Sequence, residues 1–300
     1  MTDLAIGVDV GGTKIAAGVV DREGRILKRV ERPTPRGGQD EFLATVDEVV
    51  TSLREEGIGA VGFGMPSTID QRTGRIVNSV HVPVGDFDFR GHMAELLGLP
   101  VALDNDANAA AIAEWKAGAG EGARDMIMLT LGTGVGGGLI LDGKPYRGSI
   151  GAGAEIGHMV LEFDGEPCVG NCSGHGHLEQ VASGGAADRL ASKILGAGAT
   201  GRELVGAARE GNAEALEAIV GIGRRLGAAM GSLVNIFNPE VIVIGGGFSQ
   251  ARDLFLEPAL ESLRAEALPP GRDFVRVVPA LLGPDAGLVG AGFVGFEAAD

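Results

Sequence analysis

Apolar residues in this chain come in short runs that stop at glycine. Leu4–Val10 is rich in β-branched residues and ends in Gly11-Gly12. A second run follows over 15–20 and a third over 25–32, with Asp21-Arg-Glu-Gly24 as the turn between them, so the pattern predicts three strands in succession. Phe42, Leu43, Val46, Val49, Val50 and Leu53 recur at helical spacing and predict a helix over 39–56, stopped by Gly57. A buried strand is expected over 60–63, entering Gly64-Met-Pro66. Phe89–Leu97 then reads as a short helix, 101–103 as a strand and 106–116 as an Ala-rich helix.

The strand–glycine–strand pattern returns later. Met126–Leu131 leads into Gly132-Thr-Gly-Val-Gly-Gly-Gly138, and 139–141 resumes as a strand, so Leu131-Gly-Thr-Gly-Val135 echoes Asp9-Val-Gly-Gly-Thr13. Helices are expected over 178–196, 201–210 and 213–237, the last ended by Asn238-Pro239. A buried strand over 241–244 runs into Gly245-Gly-Gly247, followed by a helix over 250–266, a strand over 274–278 and a final helix over 285–297. Strands alternating with helices, and one element used twice, predict two α/β domains of common ancestry that face a cleft.

A length of 300 residues suits two domains of ordinary size. Trp and Tyr occur once each, so the cores must be built from Ala, Val, Leu and Ile. The 52 glycines are about two and a half times the usual share, and many stand in turns beside apolar runs, where backbone can approach a ligand. A net charge of −15 argues against binding a nucleic-acid backbone, which needs Lys and Arg on phosphates. A strand begins straight after Asp3, which argues against a signal peptide. The most apolar long window, 216–237, contains Arg224 and Arg225, which argues against a membrane span. Both cysteines fall in one loop, and the chain reads as cytoplasmic.

That loop, 155–179, is the densest in chemistry. It opens with Glu155-Ile-Gly-His158 and closes with Cys168-Val-Gly-Asn-Cys172-Ser-Gly-His-Gly-His177-Leu-Glu179. Soft Cys and His donors at this spacing suit a tetrahedral Cys2His2 zinc site, which would close the loop and join its two carboxylate ends. The alternatives are a metal-free polar loop and a Cys168–Cys172 disulfide. Asp9-Val-Gly-Gly-Thr-Lys14 has the parts of a phosphate loop: glycines baring N–H groups, a hydroxyl and a cation. With Gly132–Gly138 and Gly245–Gly247 it makes three glycine turns at three buried strands, the layout of a nucleotide clamp. Gly138-Leu-Ile-Leu-Asp-Gly143-Lys144 has P-loop spacing, but Pro145 stands where Ser or Thr should hold magnesium. No Gly-x-Gly-x-x-Gly opens a helix after the first strand, which argues against a Rossmann dinucleotide site. In Leu103-Asp-Asn105-Asp106-Ala-Asn108, Asp106 stands where a strand becomes a helix, either as a reactive carboxylate or as an N-cap.

The 155–179 stretch resembles the signature of the ROK family of sugar kinases and sugar-responsive repressors: Glu-x-Gly-His, a Cys cluster, then Gly-Cys-Leu-Glu. A third Cys usually stands where this chain has His177. The resemblance implies zinc ligands His158, Cys168, Cys172 and His177, with His175 as a rival for the last place. It implies the actin-like ATPase (ribonuclease H-like) fold, with a cleft between domains. The expected division is a small domain over 1–105, onto which a helix at about 285–300 packs back, and a large domain over 106–284. The glycine turns match the family's phosphate-1, phosphate-2 and adenosine motifs. They assign Gly11, Gly12, Thr13, Lys14, Gly132, Thr133, Gly134, Gly136, Gly137, Gly245, Gly246 and Gly247 to ATP, with Asp9 orienting Mg2+ through water.

By the same resemblance Asp106 is the general base, and Asn105, Glu155, His158 and Glu179 hold the hydroxyls of a hexose. His158 would then use one ring nitrogen for zinc and the other for sugar. The implied reaction is ATP-dependent phosphorylation of glucose to glucose 6-phosphate. Alternatives are a kinase for fructose, mannose or an N-acetylhexosamine, or one that uses polyphosphate. A sugar-sensing repressor fits less well, since the first phosphate strand starts at residue 4 and the chain is acidic. In Ser79-Val-His81-Val-Pro83, His81 replaces the Asn of an Asn-Leu-Pro motif that contacts sugar; it is a substrate ligand or a surface histidine. The family also implies a homodimer.

Overall fold

The computed structural model describes residues 2–79, 81–170 and 172–300. Val80 and Asn171, which fall within the His81 and cysteine motifs, lie outside the described residues.

The chain starts with β1 (Leu4–Val10), β2 (Lys14–Asp21) and β3 (Ile26–Pro33), then α1 (Gln39–Leu53) and β4 (Ile58–Met65). A hairpin of β5 (Ser67–Asp70) and β6 (Arg75–Ser79), which the apolar pattern did not announce, precedes α2 (Phe89–Leu97), β7 (Val101–Asn105) and α3 (Asp106–Ala117). Next come β8 (Met126–Leu131), β9 (Val135–Leu141) and β10 (Lys144–Pro145). The helices α4 (Leu178–Val181), α5 (Gly184–Ile194), α6 (Gly201–Arg209) and α7 (Ala213–Phe237) follow. The chain closes with β11 (Val241–Gly245), α8 (Arg252–Glu266), α9 (Gly271–Phe274), β12 (Arg276–Pro279) and α10 (Ala286–Ala299).

Contacts divide these elements into two units: Met1–Gly122 with Gly138–Ala154 and Leu281–Asp300, and Ala123–Gly137 with Glu155–Ala280. In the first, the sheet runs β3-β2-β1-β4-β7. β1 and β2 pair antiparallel, whereas β1, β4 and β7 are parallel. Phe42, Val46 and Val50 of α1 are fully buried in a core with Phe63 and Phe89, whose rings meet edge-on at 5.0 Å. α10 seats on the sheet through glycine: a Cβ on Gly7 would fall 2.2 Å from the Leu288 carbonyl, and one on Gly62 1.9 Å from that of Ala291. Part of the glycine excess therefore serves helix-on-sheet contact rather than ligand approach. α3 is held the same way, since a Cβ on Gly290 would meet the Ala109 carbonyl at 1.8 Å. α3 and α10 both belong to the first unit, whose first segment runs to Gly122.

The second sheet runs β10-β9-β8-β11-β12, with β8, β11 and β12 parallel. Strand β9 starts at Val135, so the expected glycine loop shrinks to a turn at Gly132-Thr133-Gly134, and Gly136, Gly137 and Gly138 are strand residues. The helix expected over 178–196 breaks after Val181. Ser183 caps the new helix α5, its hydroxyl accepting the Ala186 N–H at 3.0 Å and donating to the Glu179 carbonyl at 2.7 Å. Likewise a helical turn, α9, replaces the start of the strand expected over 274–278. Among the described residues no helix is long and apolar enough to cross a membrane.

Candidate active site

In the first unit the chemistry gathers at the C-terminal ends of three parallel strands, where open α/β sheets bind ligands. The register sets Asp9 opposite Gly64, and Gly64 opposite Asp104. Gly64 lies between the two carboxylate strands, and a Cβ there would sit 3.1 Å from the Ala109 Cβ and 3.7 Å from the Asp106 Cα. Its bare backbone lets the first turn of α3 close on the strand ends. Asp9 lies against the start of α10, its carboxyl carbon 2.6 Å from where a Gly287 Cβ would be. Burial first, and then the Asp106 charge, push Asp9 up to about 6 against the pull of Lys14 and Arg29.

Asn105, not Asp106, is the N-cap of α3: its Oδ1 accepts the N–H groups of Ala107 at 2.9 Å and Asn108 at 3.4 Å. Asp106 accepts the Ala107 N–H at 2.9 Å, its own backbone N–H and a hydrogen bond from the Asn105 side chain. Burial raises the Asp106 pKa despite these hydrogen bonds and the nearby His81 charge. A carboxylate with its proton affinity raised is suited to general-base work. Asp104 is committed elsewhere, as it accepts from Asn105 N–H (2.8 Å), Asn108 Nδ2 (3.0 Å) and Arg147 Nε (2.6 Å).

The turn between β1 and β2 is held from behind. Thr34 Oγ1 donates to the Gly11 carbonyl at 2.6 Å, and its N–H to the Thr13 carbonyl at 3.0 Å. Thr13 is exposed, and Lys14 Nζ pairs with Glu31 at 3.0 Å. His81 is exposed at the edge of this group: a Cβ on Gly12 would lie 3.4 Å from its Cβ and from its carbonyl.

In the second unit the Gly132–Gly134 turn is clamped by residues that the sequence motifs did not single out. Gly184 N–H donates to the Gly132 carbonyl at 2.8 Å, and Gly185 N–H to that of Thr133 at 3.1 Å. Side chains at 184 and 185 would lie 2.7 and 2.5 Å from those carbonyls, so only glycine fits. The signal was present as Ser183 before Gly184-Gly185, an N-cap followed by bare helix amides. Gly246 has φ +83°, and a Cβ there would strike the Leu131 backbone at 2.5 Å, whereas Gly247 faces open space.

The 155–179 loop brings four donors together. His158, Cys168, Cys172 and His177 place one ligand atom each within 4.8 Å of one another. The two Nδ1 atoms are 3.1 Å apart, and each lies 3.7 Å from a cysteine sulfur: His158 from Cys168, His177 from Cys172. A tetrahedral zinc ion with bonds of about 2.0–2.3 Å needs edges of about 3.3 Å between nitrogens and about 3.6 Å from nitrogen to sulfur. The donor set fits. Both cysteines are free thiols, so the disulfide alternative is not realised. His175 is exposed and outside the group. Burial, followed by the hydrogen bond and charge of Glu179 and by Cys172, pushes the Cys168 thiol up to about 12, and a bound dication would reverse that.

The flanking carboxylates are placed by this loop and its neighbours. Gly157 lies so close to the Val135 carbonyl (2.1 Å from a hypothetical Cβ) that the Glu-x-Gly-His turn requires glycine. Glu155, just ahead of that turn, is exposed. Glu179 Oε1 accepts from the Cys168 thiol at 3.1 Å, and its Oε2 sits 2.4 Å from where a Gly134 Cβ would be. One carboxylate thus borders both the donor cluster and the glycine turn.

Two sheets, each opening on a strand–glycine turn–strand unit, the first with carboxylates at its strand ends, are the actin-like ATPase fold of sugar kinases. The chain belongs to the ROK family, whose model matches residues 5–294. It is 36% identical over 310 residues to a glucokinase of Streptomyces coelicolor, covering 96% of each chain. A ROK hexokinase structure from Thermus thermophilus matches with a TM-score of 0.87 and 37% identity, covering 98% of both chains. A ROK glucokinase from Streptomyces griseus in complex with glucose and AMPPNP matches with a TM-score of 0.83 and 36% identity, covering 98% of this chain and 99% of that one.

Proposed function

We propose that this protein transfers the γ-phosphoryl group of ATP to the O6 hydroxyl of glucose, with Asp106 as the general base. The observation that carries the reading is Asp106 itself: relieved of capping by Asn105, raised in pKa by burial, and set beside Asp9 at the strand ends. Relatives named glucokinase, similar over almost their whole length, supply the substrate class. Asp106 takes the O6 proton as that oxygen attacks the γ-phosphorus and the bond to the ADP oxygen breaks. Phosphoryl transfer passes through a loose transition state, so the remaining groups act by placing and neutralising charge.

Asn105, Glu155, His158, Glu179 and His81 hold the sugar hydroxyls, since carboxylates and amides accept or donate in pairs. The turns at 11–14, 132–134 and 245–247 hold the nucleotide, with Gly136 and Gly137 behind them in β9. Asp9 orients Mg2+ through water; when bound, that ion neutralises the triphosphate. Zinc at His158, Cys168, Cys172 and His177 has a structural role. A cytoplasmic homodimer completes the reading, and light scattering on the purified protein tests the dimer.

The deciding experiment is a panel of sugars and phosphoryl donors in a coupled assay. Glucose with ATP and magnesium is expected to exceed fructose, mannose, N-acetylhexosamines and polyphosphate in kcat/KM. A panel with glucose last, or no turnover with any nucleotide, overturns the proposal.

A pH dependence follows from the two raised carboxylates. Both act as anions, so protonation abolishes their roles. Full kcat/KM is expected above the titration range, and it should fall as pH drops through about 6, the value to which Asp9 is raised. The slope should steepen beyond one decade per pH unit where Asp106 also protonates. A profile flat down to pH 5 would contradict these assignments.

A further inference from the structure

Asp104 is almost wholly buried, with 1% of its side chain exposed, in an ion pair that the proposed chemistry does not use. Its partner Arg147 stands on the segment after β10, 43 residues further along, and donates through Nε at 2.6 Å. The same guanidinium donates through Nη2 to Glu297 Oε2 of α10 at 2.7 Å. On its other oxygen Asp104 accepts the N–H of Asn105 and the side-chain amide of Asn108. All of these residues belong to the first unit.

A buried ion pair adds little net stability over apolar residues of the same size, because both charges must leave water; removing one partner is what costs. Its use here is better explained by geometry. Asp104 fixes the peptide of Asn105 on one side and the first turn of α3, through Asn108, on the other. Asp106 lies between these two anchors. Arg147 fixes the far side: its carbonyl accepts the Gly153 N–H at 2.9 Å, closing a loop whose next residues are Ala154, at φ +65°, and Glu155. A non-glycine residue in the left-handed region persists only where its surroundings hold it. One guanidinium therefore ties the Asn105-Asp106 turn to the loop that leads to Glu155.

We propose that Asp104 and Arg147 are a positioning pair for the phosphoryl-transfer site: neither touches substrate, and together they hold Asp106 at its working angle. This rests on the reading of Asp106 as the base.

The test is a set of full-length variants, Asp104→Asn, Arg147→Gln, Arg147→Lys and the Asp104→Asn/Arg147→Gln double, assayed with glucose and ATP beside Asp106→Asn. Each neutralising single variant is expected to lose 10- to 100-fold in kcat with the KM for ATP within threefold of the parent. The double variant removes both charges of the buried pair, leaving only the part-exposed Glu297 without its partner, and should regain part of that loss, its kcat exceeding that of the worse single variant. Arg147→Lys keeps the charge but cannot reach Asp104 and Glu297 together, and should fall between parent and Arg147→Gln; it also covers the case in which a neutral variant does not fold. If the variants only lower the melting temperature, and the folded enzyme keeps kcat within threefold, the pair is structural and the proposal is wrong. If Asp106→Asn remains active, the base assignment has failed instead; loss of kcat in the pair variants would then show that they position a different group, which also overturns the proposal as stated.

Discussion

Asp106→Asn is expected to lower kcat by about 10²–10⁴-fold or more while glucose and ATP still bind. The asparagine amide is nearly isosteric with the carboxylate but cannot accept the O6 proton. Folding should not suffer, because Asn105 caps α3 and Asp106 does not. The sign of the stability change follows from the titration. Burial raises the Asp106 pKa in the folded chain, so at neutral pH ionising this group works against folding, and a neutral amide removes that cost. The variant should melt at the same temperature as the parent or above it. Steady-state kinetics, glucose binding by calorimetry and a thermal melt check the three parts. Near-normal turnover would leave Asp106 without a catalytic role. Asp104 could not replace it, since both its oxygens are committed to Asn105, Asn108 and Arg147. By contrast, Asn105→Ala should cost about 1 kcal/mol of stability as well as activity, because it removes the cap.

The second large effect concerns the donor cluster. The protein is expected to hold one zinc per chain, and stripping it should weaken glucose binding at least tenfold with the KM for ATP within about threefold. Between Ile156 and Leu178, which are buried at its two ends, the loop has little apolar burial to fall back on: Val160, Phe163 and Val169 are 58%, 89% and 57% exposed. Without metal its closure rests on a few backbone hydrogen bonds, such as Cys168 N–H to the Gly174 carbonyl and Gly176 N–H to that of Glu166, each 2.9 Å. The two ends of the loop carry Glu155 and Glu179, so losing its closure should act on the sugar first. Cys172→Ser should reproduce the effect of a chelator, whereas His175→Ala should not, because His175 lies outside the cluster. Elemental analysis after dialysis gives the metal content. Fully active protein without zinc would mean that the loop is closed by other contacts.

What could be read in the chain and what could not divides along the range of the interactions. Strand–glycine–strand units appear in sequence as β-branched runs that stop at glycine, a signal confined to a few neighbouring residues. Hence β1, β2 and β8 stand where the pattern puts them, and α7 runs over 213–237 as its apolar spacing indicates. At two places local rules compete. Gly136 and Gly137 look like turn residues, but they continue a strand because β9 pairs from Val135 onward. Ser183 breaks an otherwise helical stretch because its hydroxyl has an amide to cap.

The sequence by itself determined the α/β class, the two glycine-turn units and the inventory of reactive groups: the carboxylates at strand ends, and two thiols and three imidazoles within one loop. Each depends on residue type and on spacing within a few residues, which a chain displays whatever its fold. Only the tertiary structure decided which groups meet. His177, and not His175, converges with His158 because the loop folds back on itself. Asn105 takes the cap and leaves Asp106 free because one amide oxygen reaches two backbone N–H groups. Arg147 finds Asp104 across 43 residues, and α10 returns from the end of the chain to lie against Gly7 and Gly62. Such pairings are set by distance through space, and the choice among several donors or acceptors of one type is made by the packing that leaves a single one within reach.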